Sequence, residues 1–471
     1  MADKNFGKNS DDSRGSGRKE KGVRGLKKVV AVVCNYNKRE YVAGCVQSVV
    51  ESAFEGLDVV VVDNASTDGS AEWIRSQFGD SVKLFVNEEN LGGSGGFNVG
   101  IRYALEEGYE YVWCLDNDVL VDENAVGELY SFMEGHPEVG MAGSKVYHME
   151  KPDYVQQFGI DILWDEYCCE AKYHGYLEDG TMPEVVYSDA VAACSVLVRA
   201  SVIRKIGPLP EENFLYWDDT EWGYRCNLAG YKVASVGSSK ILHSMGAKKE
   251  SINTFPMYYA WRNWIRFFMK YTPKEKREDM CCAFLEGIFD VVYNDIYLGE
   301  ENRAKTVMYA YDDAIHGKMG KAKEDKIFPV VHSEEKLTKL LMGQKEVEIY
   351  ANGLDGQAEA FAKKVRDFGE KSGNGLAVHV LEGNPFTNGN GGKLVLEKKK
   401  RGICTFTMAK DIFCLDDLEL HTWYVDEEER ILASEEDLFL SINRDYSRKM
   451  FVFSQKRLFL SLTAAAGERD A

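Results

Sequence analysis

Residues 57–64 read Leu-Asp-Val-Val-Val-Val-Asp-Asn, and the same texture recurs at residues 29–36 (VVAVVCNY), 82–87 (VKLFVN) and 111–119 (YVWCLDNDV): a short apolar run that ends in polar side chains. Between these runs lie residues 41–52, 70–78 and 96–108, with apolar positions at helical spacing. A strand exposed on one face alternates apolar with polar residues, whereas a continuous valine run is buried on both faces. The pattern therefore predicts a parallel α/β sheet over residues 29–140. In such sheets ligands sit beyond the carboxyl ends of the strands. Those ends are CNYN, VDNASTD, NEENLGG and LDND, all polar and two of them rich in carboxylates.

The second and fourth residues of the last ending are Asp116 and Asp118, two apart. On an extended chain side chains two apart share a face, so both carboxylates can converge on one cation while Asn117 faces away. Mg²⁺ or Mn²⁺ prefers oxygen ligands of this kind. A DxD alone is also a common turn sequence; its place at the end of a buried strand favours the metal reading. Asp63 either forms an Asx turn or accepts a hydrogen bond from a pyrimidine imide. Asp68 reads as a cap for the next helix. Residues 90–100 (NLGGSGGFNVG) precede a helix whose free N–H groups suit a phosphate or ribose, but they fit GxGxxG in no register, against a dinucleotide fold.

A third acidic cluster is Trp217-Asp218-Asp219-Thr220-Glu221-Trp222. Asp218 and Glu221 are spaced as a near capping box, which leaves Asp219 free in the first helical turn as a candidate proton acceptor. His243, in KILHSMG, is either a structural histidine or a third metal ligand. The aromatic residues of this region read mainly as core.

The chain of 471 residues exceeds one core, so more than one unit is expected. The longest apolar stretch, Phe255–Tyr271, is broken by Arg262, Asn263, Arg266 and Lys270 and should not span a bilayer. The formal charge of −19 argues against nucleic acid as a general partner. Eleven cysteines without CxxC spacing argue against zinc or a disulfide framework. The start of the chain lacks an apolar h-region, so a cytoplasmic protein is expected. Residues 1–28 hold nine Lys or Arg against four Asp or Glu. They read first as a solvated basic tail and second as a weak tether to the inner membrane face. Residues 274–322 read as helices. Beyond about Lys323, EVEIYAN, AEAFAKKVRDF and LAVHVL suggest a βαβ unit, followed by a floppy NPFTNGNGG and short strands at CTFTMA, LHTWYVD and MFVFS.

Taken in order, CNYN, VVDNASTDGS, NLGGSGGFNVG, LDND, FLYWDDTEWGYR, ILHSMG and YYAWRNWIRF make residues 29–270 resemble a family 2 glycosyltransferase of the GT-A fold, in the branch of rhamnosyltransferases and galactofuranosyltransferases. The resemblance, which covers about half of the chain, implies an α/β fold with a mixed, mainly parallel central sheet; the helical extension and the smaller C-terminal α+β domain are read from the residues beyond it. The corresponding division is a tail over 1–27, a catalytic domain over 28–273, the extension over 274–322 and the C-terminal domain over 323–471. It further implies an inverting transfer from UDP-galactofuranose or dTDP-rhamnose to a glycan or lipid-linked acceptor. Asp116, Asp118 and His243 would hold Mn²⁺ or Mg²⁺. Tyr36, Asn37, Asp63, Asn64, Asn90, Gly92, Gly93, Asn98 and Asn117 would face the donor, and Trp217, Asp218 and Trp222 the acceptor. Asp219 would be the general base. The sequence departs from an all-aspartate metal motif at Asn117. A sugar nucleotidyltransferase, the first alternative, should carry a glycine-rich triphosphate loop after its first strand, and CNYNKREYV has no glycine. A non-catalytic carbohydrate-binding protein, the second, would not need both LDND and WDDTE.

Overall fold

The computed structural model describes residues 28–244, 253–297, 300–330, 334–373, 375–385, 391–410, 422–426 and 431–467. The basic tail therefore lies outside the described residues, as do the end of ILHSMG and most of the NPFTNGNGG stretch.

The valine runs become strands at the predicted places. β1 (Val29–Asn35), α1 (Arg39–Val50), β2 (Leu57–Asp63), α2 (Ser70–Phe78), β3 (Lys83–Val86), α3 (Gly92–Glu107) and β4 (Tyr111–Asp116) alternate along the chain. They form the parallel order β3-β2-β1-β4. Alternate side chains of each strand feed two cores. Val29, Ala31, Val33, Val61, Trp113 and Leu115 enter the core on one face, and Val30, Val32, Val62, Val112 and Cys114 the core on the other. That two-sided burial is why these strands read as unbroken apolar runs.

The second half of the sheet is mixed. Along the chain follow β5 (Val119–Val121), α4 (Ala125–Gly135), β6 (Val139–His148), β7 (Lys151–Gln157), β8 (Ile160–Leu163), β9 (Cys168–Ala171), β10 (Val185–Ser188), β11 (Ser195–Arg199), α5 (Ala200–Ile206), α6 (Asp218–Leu228) and β12 (Lys232–His243). β11 lies antiparallel between β4 and β6, β12 runs parallel to β6, and β10 closes the edge. β5 and β7 pair with β12 and β6, and β8 and β9 make a separate hairpin.

α7 (Phe255–Tyr271), α8 (Arg277–Tyr297) and α9 (Glu301–Ile315) form the helical extension. Next come α10 (Glu334–Leu341), β13 (Glu346–Tyr350), α11 (Asp355–Ser372), β14 (Ala377–Leu381), α12 (Gly391–Lys400), β15 (Ile403–Met408), β16 (Trp423–Val425), β17 (Ile431–Ala433) and α13 (Ser434–Gly467). Their sheet has the order β14-β13-β15-β16-β17 and is parallel up to β16, with only β17 antiparallel. The expected α+β character thus applies only to its last strand. The strand expected at MFVFS is instead part of α13, whose Phe459 is buried in one core with Phe268, Met280 and Tyr311 of α7, α8 and α9. A five-residue apolar run cannot by itself distinguish a strand from one face of a long helix. The final segment of the chain therefore returns to the helical extension.

Candidate active site

The parallel order reverses between β1 and β4, and in such sheets the crevice for a ligand lies beyond the carboxyl ends at that point. β4 ends in Asp116, and a tight turn carries Asp118 to the start of β5. β12, hydrogen-bonded to β5 through His243 and Val119, brings the imidazole alongside. The ligand atoms of Asp116, Asp118 and His243 lie within 4.8 Å of one another. His243 Nε2 is 3.2 Å from Asp118 Oδ1 and 3.8 Å from Asp116 Oδ2. Lys38, just beyond β1, places Nζ 2.8 Å from Asp118 Oδ2.

Burial and repulsion from Asp118 push the Asp116 carboxyl up to about 6, although 41% of its side chain remains exposed. Asp118 is buried too, yet its bonds with His243 and Lys38 hold it below the usual carboxylate range. Burial alone would depress His243, but Cys194, Asp118 and Asp116 raise it. Two carboxylates and an imidazole, with a lysine ammonium already drawn to one carboxylate, fit a divalent cation that accepts oxygen and nitrogen ligands.

Asn117 turns away from this cluster, as expected, and donates to Asn35 Oδ1 at 2.8 Å; Asn35 donates in turn to Asp63 Oδ2 at 3.0 Å. Asp63 is fully buried, and its Oδ1 accepts from the Ser66 N–H at 2.9 Å. Oδ1 therefore serves the turn after β2, while Oδ2 ties that turn to β1. Asp68 accepts from the Ser70 N–H at the start of α2 and also from the Arg39 N–H. Tyr36 stands exposed at the crevice, and Asn37 Oδ1 accepts from the Thr67 N–H, joining the loops after β1 and β2.

The glycine-rich stretch departs from its expected position. Instead of preceding the helix, Gly92 and Gly93 are its first residues. A Cβ at Gly92 would lie 2.1 Å from the Phe214 carbonyl oxygen, one at Gly96 2.3 Å from Cys34 Sγ, and one at Gly100 2.3 Å from a Val32 methyl. The glycines thus let α3 approach β1 and the acidic loop closely. Asn64 is the hub of its N-terminus: it accepts from Leu91 N–H and Asn87, and donates to Asn90 and the Gly92 carbonyl. Asn98 faces elsewhere, exchanging hydrogen bonds with the Leu209 backbone.

The acidic loop is held in an unusual conformation. Phe214, Tyr216 and Trp217 all have positive φ, and the left-handed Trp217, rather than Asp218, is the N-cap of α6. The anticipated capping box is absent, because Glu221 accepts from Lys270 and Tyr271 instead. Asp218 accepts from Ser94 Oγ of α3 at 2.8 Å, and burial with repulsion from Asp219 pushes its carboxyl up to about 7. Asp219 accepts from the Thr220 and Ala193 N–H groups at 2.7 and 3.3 Å, and burial raises it. Its charge acts on Asp116 and on Cys169. Cys169, Gln157, Tyr216, Trp217 and Thr220 line an adjoining cavity of about 290 Å³. Trp217 therefore does face this side. Trp222 does not: it is 1% exposed, packed in a sheet core and bonded to the Gly207 carbonyl, because helical spacing turns it away from the loop.

No local pattern singles out Ser94, Gln156 or Asn263. Each reaches the site from another element, across a separation along the chain that no local spacing reveals. Lys38 was within reach, since it directly follows the strand ending CNYN.

A sheet with its acidic cluster at the switch point, faced by a second acidic loop, is the α/β arrangement expected of a GT-A glycosyltransferase. Residues 30–174 match the family model for Glycosyl transferase family 2. It is 23% identical over 281 residues to the dTDP-rhamnosyl transferase RfbF of Shigella flexneri, covering 58% of this chain and 89% of that one. It is also 23% identical over 239 residues to the low-salt glycan biosynthesis hexosyltransferase Agl10 of Haloferax volcanii, covering 49% and 72%. Among solved structures it is similar to GalNAc-T7 with UDP, GalNAc and Mn²⁺, at a TM-score of 0.44 and 15% identity, over 55% of this chain and 51% of that one. No helix among the described residues is long and apolar enough to cross a membrane.

Proposed function

We propose that the protein is an inverting, metal-dependent hexosyltransferase that takes a sugar from a nucleotide diphosphate donor of the dTDP-rhamnose or UDP-galactofuranose class to a glycan or lipid-linked acceptor. The observation that carries this reading is the convergence of Asp116, Asp118 and His243 at the switch point, with Asp219 near enough to raise Asp116. The similarity to a rhamnosyl transferase supports the donor class.

In this reading Asp116, Asp118 and His243 hold a divalent cation, which supplies positive charge to the departing diphosphate. Tyr36 and Asn37 border the donor at the crevice, while Asn35, Asn64, Asp63 and Asn117 fix the loops around it. Asp63 retains lone pairs beyond its two internal hydrogen bonds, and through one of them it meets a pyrimidine N–H. Asp219 takes the proton of the acceptor hydroxyl, whose oxygen bonds to the anomeric carbon as the bond to diphosphate breaks. A single displacement from the opposite face inverts the anomeric centre. The cavity walled by Tyr216 and Trp217 admits the acceptor and limits water there. The site works in the cytoplasm, where activated sugars are made, or at the inner membrane face.

A screen of nucleotide sugars by nucleotide release, with Mn²⁺ and with chelator, tests the reading, with the product anomer assigned by NMR. Metal-dependent release from a dTDP- or UDP-sugar with an inverted product is expected. Release undiminished in chelator, or a retained anomer, would overturn it.

A further inference from the structure

Gln156 lies on β7, behind the imidazole of His243. It is 7% exposed, and its amide nitrogen is 3.3 Å from His243 Nδ1. Its amide oxygen is buried and has no hydrogen-bond partner. A buried acceptor left without a donor is destabilising, so an orphan beside His243 calls for a physical reason.

A neutral imidazole carries one N–H, and the hydrogen bond at one nitrogen decides what the other can do. If the Gln156 amide donates to Nδ1, the proton sits on Nε2 and points at the carboxylates, leaving no lone pair for a cation. If the amide is turned by half a rotation, its oxygen accepts from Nδ1–H. The Nε2 lone pair then faces Asp116 and Asp118. The two ends of a glutamine amide have nearly the same shape, so the turn needs no other rearrangement.

We propose that Gln156 is a positioning residue: its carbonyl accepts the Nδ1–H of His243 and thereby makes His243 a metal ligand together with Asp116 and Asp118. This rests on the cluster being the metal site proposed above. Carboxamide and carboxylate oxygens behind ligating histidines act in this way generally, and their loss weakens metal binding by about 10–100-fold.

Mn²⁺ binding to the full chain, read from the free-ion EPR signal, tests the inference without reference to turnover. Gln156→Met, which keeps size but accepts nothing comparable, should weaken Mn²⁺ by about 10-fold or more with the thermal midpoint preserved. Gln156→Glu, which accepts but cannot donate, should retain wild-type affinity or exceed it. Unchanged affinity in a folded Gln156→Met protein would overturn the inference. So would a Gln156→Glu protein that binds poorly, which also decides the matter should the Met variant not fold. Asp118→Asn separates the two levels: if it leaves Mn²⁺ affinity intact, the metal site itself is misplaced, whereas loss there with no effect at Gln156 refutes the positioning role alone.

Discussion

Asp218 and Asp219 are adjacent in sequence but belong to different surroundings. Asp218 points back to Ser94 at the start of α3, whereas Asp219 is near enough to Asp116 to raise it and directly precedes Thr220, which lines the cavity walled by Tyr216 and Trp217. Asp219→Asn should therefore keep donor affinity while turnover falls by about 10²–10⁴-fold, which kinetics alongside nucleotide titration will measure. Asp218 leaves a different signature. Its carboxyl is raised from 3.8 to about 7, so the folded state holds a proton that the unfolded chain has already released. Stability from this group is complete below about pH 4 and is lost as pH rises towards 7. Asp218→Asn, which never ionises, should gain on the wild type by on the order of 1–3 kcal/mol between pH 5 and pH 8. Denaturant unfolding at the two values, in chelator, will show a constant gap if the assignment is wrong. At this scale Asp63, Asp116 and His243 were legible because they end strands. The duties of Asp218 were not, because the capping pattern depends on a backbone conformation at Trp217 that its side chain does not announce.

The element that sets the acidic loop is α7. Asn263 donates from Nδ2 to the carbonyls of Asn213, Leu215 and Tyr216 at 2.8, 2.7 and 3.0 Å, and Arg262 Nη2 donates to the Asn213 carbonyl at 2.9 Å. Both side chains are 1% exposed. Positive φ at three bulky residues costs of order 1–3 kcal/mol each, and it persists only where the surroundings hold it. α7 thus acts as a clamp for Asp219. Asn263→Ala should lower turnover by more than tenfold at near-wild-type donor affinity, and Asn263→Asp, which keeps the shape but cannot donate when ionised, should do the same. Normal turnover in either folded variant would show that the loop holds itself. RNW in YYAWRNWIRF could be read as a break in an apolar helix, but not as a clamp, since its partners lie about fifty residues upstream. The α/β alternation itself was plain, because burial on both faces leaves valine runs that nothing else requires.

At the scale of the molecule, α13 closes the helical extension. Lys456 pairs with Glu278 at 2.6 Å, Arg444 with Asp290 at 3.1 Å, and Phe459 is fully buried. α8, which receives it, packs in the same core as α7, the helix that clamps the acidic loop. A chain ended after Ala433 should lose several degrees of thermal midpoint and turnover with it; an unchanged midpoint would make α13 dispensable. This coupling runs between distant parts of the chain, so the sequence suggested an independent C-terminal unit from about Lys323 onward.

The most direct measurement of the central claim is transfer from the donor identified by nucleotide release, followed through removal and return of Mn²⁺ in the wild type and in Asp116→Ala and Asp118→Ala. Wild-type transfer should vanish in chelator and return with Mn²⁺, while both variants, folded by circular dichroism, should stay inactive at every Mn²⁺ concentration. Transfer that persists in chelator, or in either variant, would contradict the account.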